Sequence, residues 1–84
     1  MKHWNRLENT DGTSSLQKDF TFKNFVEAFA AMQKIAFLAE KLNHHPTMTN
    51  TYHRLRIELS THDAGNRITD LDVQLAKEID AVLG

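Results

Sequence analysis

The order of residue patterns predicts a two-layer α+β domain: a four-stranded antiparallel sheet with two helices packed on one face, in the order β-β-α-β-β-α. Three observations carry that expectation. A turn signal, Asp11-Gly12, separates two short strand-like runs, a long apolar helical pattern begins after Asn24, and Leu55, Ile57 and Leu59 alternate with charged residues ahead of a second helical pattern. The 84 residues leave space for one domain, spanning 1–84, and 40% hydrophobic content suits a globular chain.

Trp4 to Asn9 is expected as the first strand and Ser14 to Phe22 as the second, joined at Asp11-Gly12. Asn24 followed by Glu27 has the form of a helix N-cap with its reciprocal carboxylate. From Phe25 onward, Phe25, Phe29, Met32, Ala36 and Ala39 make one stripe, flanked by Val26 and Phe37 on one side and by Ile35, Leu38 and Leu42 on the other. Only Glu27, Lys34 and Lys41 make a polar strip, so the helix is expected to pack on more than its own sheet. Gln33 and Glu40 fall inside the apolar sector. A carboxylate there needs a partner or a polar pocket.

Pro46 disfavours helical dihedrals at His45, and Asn43 suits a left-handed C-terminal position, so the helix should stop near Leu42. The extended stretch Thr47 to Thr61 is too long for one strand in so small a domain and should fold back near Tyr52 to Arg54. Asp63-Ala64-Gly65-Asn66 reads as a loop. Thr69-Asp70-Leu71-Asp72 then opens a final helix with Leu71, Leu75, Ile79 and Val82 on one face.

Charge narrows the function classes. A formal net charge of −1 gives no footprint for a phosphate backbone or an anionic membrane surface, so neither nucleic acid nor membrane is an expected partner. Met1 to Arg6 has no apolar leader, and no run approaches the ~18 apolar residues of a spanning helix. A cytoplasmic location is expected. With no cysteine there is no disulfide to support a thin core, and oligomerisation is the expected remedy.

A hairpin centred on His53-Arg54 would set Tyr52 opposite Leu55 and His45 opposite His62. Three of the five histidines, His44, His45 and His62, then converge beside the end of the helix carrying Glu40. Imidazoles titrate near neutrality and can give a proton in one place and take one in another. His3 and His53 have no such partners and are read as surface residues. Three His and a Glu could also ligate zinc, but neighbours in an extended segment point in opposite directions, so His44 and His45 are poorly placed to share one ion. No metal site is expected. Tyr52 reads as a cross-strand packing residue, and Arg54 and Arg56 as a solvated strand face.

Glu40-Lys-Leu-Asn-His44-His45-Pro46, then Tyr52, then Ser60-Thr61-His62-Asp63, then Asp72 resembles the signature of the pterin-4a-carbinolamine dehydratase family. Trp4, Phe20-Thr-Phe22-Lys-Asn-Phe25 and Asp72-Val-Gln-Leu-Ala76 extend the resemblance over nearly the whole chain. It implies dehydration of a 4a-hydroxytetrahydropterin to quinonoid dihydropterin and water, without metal or organic cofactor. It further implies His44 and His62 as proton donors to the departing hydroxyl and His45 as the base. Asn43, Ser60, Thr61 and Asp63 would line the pterin pocket, with Glu40 steadying the histidines. Asp72 has two readings, a member of the site or the N3 residue of the last helix. The resemblance implies a homodimer or homotetramer paired through sheet edges and helices. Two departures stand out: Thr47-Met48 replaces a common Glu-Trp, and the helix that precedes the tryptophan in many relatives is lacking. A non-enzymatic dimerisation or assembly module on the same fold, or a dehydratase for a different pterin, are the alternative readings.

Overall fold

The computed structural model describes residues 3–83; Met1, Lys2 and Gly84, which the 1–84 domain and N-terminal leader readings include, lie outside the described residues. Two strands, β1 (Asn5–Glu8) and β2 (Ser14–Thr21), precede a helix, α1 (Phe25–Leu42). The chain continues through β3 (Thr47–Thr51), β4 (Arg54–Leu59) and a 3-10 turn (His62–Ala64) to α2 (Asp70–Leu83). The antiparallel sheet has the order β1-β2-β4-β3, with β2 and β4 central. It is the α+β architecture expected, with strand ends within one or two residues of expectation.

Leu16, Leu55, Ile57 and Leu59 from the sheet meet Ile35 of α1 and Leu75, Ala76 and Ile79 of α2 in one core. Trp4, just before β1, closes one end of it. Its indole N–H donates to Asp80 Oδ2 at 2.9 Å, while Lys18 Nζ donates to Asp80 Oδ1 at 2.7 Å and lies 4.8 Å from the centre of the Phe20 ring. One carboxylate thus ties β2 and the chain start to α2. On the opposite side Lys41 donates to Glu78 across the helix pair. That bond holds the Glu78 carboxyl below the usual carboxylate range, so its contribution is present at neutral pH and lost as pH falls through the lowered value.

α1 begins as its sequence dictates. Asn24 Oδ1 accepts from the Glu27 N–H at 2.9 Å, and Glu27 Oε1 reaches back to the Lys23 N–H at 3.1 Å, one residue before the cap itself. Replacing Asn24 by Ala should cost about 1 kcal/mol. Urea unfolding measures it, and an unchanged midpoint would show that Glu27 alone suffices.

Three side-chain assignments differ from expectation. The buried stripe of α1 is Ala28, Ala31, Ile35 and Ala39, whereas Phe25 and Phe29 are half exposed and Phe37 is 77% exposed. Small alanines let the helix axis approach the sheet, so the aromatics sit to the side and outside. In α2 the buried residues are Asp72, Leu75, Ala76 and Ile79, with Leu71 and Val82 partly exposed. The β3-β4 hairpin turns on Tyr52-His53, so Thr51 pairs with Arg54 and Asn50, not Tyr52, lies opposite Leu55. Tyr52 takes φ 51°, a left-handed turn conformation that the sequence did not advertise. The ladder therefore ends before the histidines, and His45 is not a ladder partner of His62.

Candidate active site

Although the expected strand register is wrong, the three histidines still border one cavity, because the end of α1 and the end of β4 deliver them separately. Asn43 adopts the left-handed conformation (φ 50°), and its N–H bonds to the Glu40 carbonyl while the His44 N–H bonds to that of Ala39 at 2.9 Å. This Schellman closure pins the His44 backbone to the helix. Pro46 keeps the chain extended, so successive side chains diverge. His44 points inward and is 8% exposed; His45 points outward.

His44 Nε2 lies 2.5 Å from Asp72 Oδ1. Asp72 is fully buried, and its other oxygen accepts from the Thr61 hydroxyl at 2.7 Å and the Thr69 N–H at 2.9 Å. An ionised carboxylate only accepts, so the His44 ring proton sits on Nε2 and Nδ1 is left without a protein partner among the described residues. Because Thr61 spends its proton on Asp72, the 2.6 Å contact between the Thr61 and Thr69 hydroxyls runs from Thr69 to Thr61. Asp72 is thus both the third residue of α2, bonded to the amide that precedes the helix, and the anchor of a site histidine.

His45 Nε2 lies 2.6 Å from Glu40 Oε2, with the two side chains 59% and 76% exposed. Glu40 therefore faces solvent and meets its partner there. β4 ends at Leu59; Ser60 Oγ donates to the Ser14 carbonyl, Thr61 bridges to Arg67, and His62 opens the 3-10 turn with its ring 91% exposed and 3.6 Å from the Asp63 carboxylate, beyond hydrogen-bond range.

Asn43, His44, His45, Ser60, Thr61, His62, Asp63 and Leu71 line a cavity of about 270 Å³. That is close to the ~300 Å³ at which small-molecule sites begin. Of the expected site residues, Glu40 and Asp72 are outside the lining and are hydrogen-bonded to His45 and His44. Leu71, expected in the core, instead forms part of the wall, and Thr69, expected only as a helix start, bonds within the Asp72 network. Nothing in their spacing marks either residue. A larger hollow of about 600 Å³ lies over the open face of the sheet, lined by Asp19, Thr21, Thr49, Arg54, Arg56 and Glu58 among others. Arg56 there is engaged by Asp19 through two hydrogen bonds, and no imidazole borders that hollow among the described residues. Among the described residues no three His, Asp or Glu side chains are grouped as a metal site, and no helix is long and apolar enough to cross a membrane.

The family described as "Pterin 4 alpha carbinolamine dehydratase" matches residues 1–82. The chain belongs to this family. A "putative pterin-4-alpha-carbinolamine dehydratase" of Synechococcus sp. (strain WH7803) is 54% identical over 67 residues, 80% of this chain and 71% of that protein. A relative with the same description from Bradyrhizobium sp. (strain BTAi1 / ATCC BAA-1182) is 46% identical over 79 residues, covering 94% and 76%. Among solved structures, a "transcriptional coactivator/pterin dehydratase from Brucella Melitensis" superposes with a TM-score of 0.88 at 37% identity, covering all of this chain and 85% of that one. A "pterin dehydratase-like protein" described as a RuBisCO assembly factor shares the dehydratase fold, with a TM-score of 0.79 at 21% identity over 96% and 89%.

Proposed function

We propose that the chain dehydrates 4a-hydroxytetrahydropterin to quinonoid dihydropterin by general acid-base catalysis. The observation that carries this reading is three imidazoles on one cavity, each in a different setting: His44 anchored on buried Asp72, His45 on exposed Glu40, and His62 without a hydrogen-bond partner among the described residues.

The carbon that loses the hydroxyl also bears a ring nitrogen, whose lone pair expels the leaving group as the C–O bond breaks. A protonated imidazole gives its proton to the departing oxygen, which leaves as water. A neutral imidazole takes the proton from the ring nitrogen, and the two transfers balance. His45 suits the base: with its Nε2–H on Glu40, its Nδ1 lone pair is the free one. His62, open to solvent, suits a donor that is recharged from water. His44, doubly protonated and held by the Asp72 carboxylate, completes the donor pair on the cavity wall. Asn43, Ser60, Thr61 and Asp63 supply polar edges for the pterin, and Leu71 an apolar patch. General acid-base catalysis contributes ~10²- to 10⁴-fold, enough for a step that already proceeds in water.

Stopped-flow dehydration of 4a-hydroxytetrahydropterin tests the reading: the protein should accelerate the spontaneous reaction by at least tenfold, and an unchanged rate refutes it. Activity should survive exhaustive chelation in full. Loss reversed by zinc would replace proton transfer by a metal mechanism.

A second reading follows from the exposed aromatic side of α1, which suits a protein-binding module; the two solved relatives carry coactivator and assembly-factor descriptions. The same assay separates the two, since a pure binding module has no effect on dehydration. We further infer that the protein works in the cytoplasm as a homo-oligomer, because its solvent-facing aromatics exceed what one subunit covers.

A further inference from the structure

Among the described residues three polar side chains are buried: His44, Asp72 and Ser14. The first two belong to the site already described. Ser14 opens β2, is 8% exposed and does not line the cavity. A buried polar residue is ordinarily bonded, and Ser14 is bonded through its amide, its carbonyl and its hydroxyl alike. Its N–H donates to the Asn66 carbonyl, its carbonyl accepts from Ser60 Oγ, and its Oγ accepts from the Ile68 N–H, each at 2.9 Å. All three bonds go to one segment, Ser60 to Ile68, which carries His62.

That segment has little else to hold it. Residues 62–67 are exposed throughout, so none of their side chains is anchored in the core. Loops with few buried apolar contacts are the first parts of a fold to open. The His62 ring is 3.6 Å from the Asp63 carboxylate, beyond hydrogen-bond range, and has no partner among the described residues. A side chain without a bond of its own stands where its backbone puts it. The backbone is closed by the Thr61 N–H on the Arg67 carbonyl at 2.9 Å, and the Thr61 carbonyl accepts from the Asn66 N–H at 3.1 Å. Ser14 spans the base of this loop, bonding Ser60 on one limb and Asn66 and Ile68 on the other. Arg67 Nε adds a bond to the Gly12 carbonyl at 3.1 Å, in the turn just before Ser14.

We propose that Ser14 is a positioning residue for His62, as Asp72 is the anchor of His44, so that each proton donor of the cavity rests on one buried polar side chain. The base of the loop joins the two supports: the Thr61 hydroxyl donates to Asp72 and the Ser60 hydroxyl to Ser14. The support matters because a reacting group misplaced by about 1 Å can cost ~100-fold in rate. The grip stands on the geometry; its bearing on proton transfer rests on the dehydratase reading.

Ser14→Ala takes the acceptor from the Ile68 N–H, whereas Ser14→Thr keeps it. In Ser14→Ala the Asn66 and Ile68 amides should exchange with deuterium at least tenfold faster than in the wild type. Its kcat for 4a-hydroxytetrahydropterin should fall at least fivefold, with KM changed less than twofold and circular dichroism unchanged. Ser14→Thr should bring kcat back to within twofold of the wild type. Unchanged exchange in Ser14→Ala overturns the grip. Faster exchange with wild-type kcat, or a loss that Thr does not recover, leaves Ser14 a structural residue and overturns the proposal. If the Ser14 variants do not fold, Arg67→Ala, at an exposed position, releases the same loop from Gly12. It should lower kcat at least twofold at constant KM, and wild-type kcat there overturns the proposal. A wild type that does not accelerate dehydration refutes the dehydratase reading instead, while amide exchange in Ser14→Ala still decides the grip.

Discussion

His62→Ala and His44→Ala should each lower the dehydration rate about 100-fold, but only the second should also destabilise the fold. His62 is almost fully exposed and has no hydrogen-bond partner among the described residues, so its removal takes away a proton donor and little else. His44 is 8% exposed and holds Asp72 Oδ1. Truncating it leaves a buried acceptor without its donor, a loss of about 1–3 kcal/mol from a stability that in small domains is only ~5–15 kcal/mol. A helix-end position suggests, on sequence grounds, that both variants keep full stability; the burial of His44 removes that expectation for one of them. Stopped-flow rates and urea unfolding on the same preparations separate the two effects. Wild-type turnover in both variants would refute the assignment of the site.

The order of elements is legible because each is punctuated by a residue with one local job. Asn24 caps, Asn43 turns left-handed, Pro46 keeps the chain extended, and Asp11-Gly12 makes the hairpin. The orientation of α1 is not legible. Hydrophobicity ranks Phe29 and Phe37 above Ala28 and Ala31, yet close packing on a sheet favours the alanines, and a single chain's pattern does not say which apolar side faces inward. The hairpin register fails for a related reason: Tyr52 occupies a left-handed turn position usually held by Asn or Gly, so residue type alone sets the two-residue loop one residue late. The grouping of the histidines survives that error, since it depends on the Schellman closure at Asn43 and the 3-10 turn at His62 rather than on strand pairing. In sequence Asp72 looks like a capping residue or a site residue. Only the structure shows that one buried side chain bonds both the start of α2, at Thr69, and the His44 ring.

Those bonds make Asp72→Asn the most discriminating substitution in the molecule. In the wild type all three neighbours donate to the carboxylate: His44 Nε2–H at Oδ1, and Thr61 Oγ1–H and Thr69 N–H at Oδ2. An asparagine has one acceptor oxygen and one donor nitrogen and must turn the nitrogen toward one side. Toward Thr69 it would meet a backbone N–H, which has no lone pair to offer. Toward His44 the conflict is soluble, because the ring can move its proton from Nε2 to Nδ1 and accept at Nε2. The Asn variant should therefore fold, with His44 in the opposite tautomer and without the carboxylate that supports its protonated form, and its dehydration rate should fall at least tenfold. Asp72→Ala, by contrast, removes the acceptor of one buried and two half-buried donors and should cost about 3–5 kcal/mol, enough to unfold much of so small a domain. Long-range ¹H–¹⁵N NMR of the imidazole reads the tautomer directly. A folded Asn variant with the His44 proton still on Nε2 and an unchanged rate would show that Asp72 serves α2 alone and has no part in orienting the histidine.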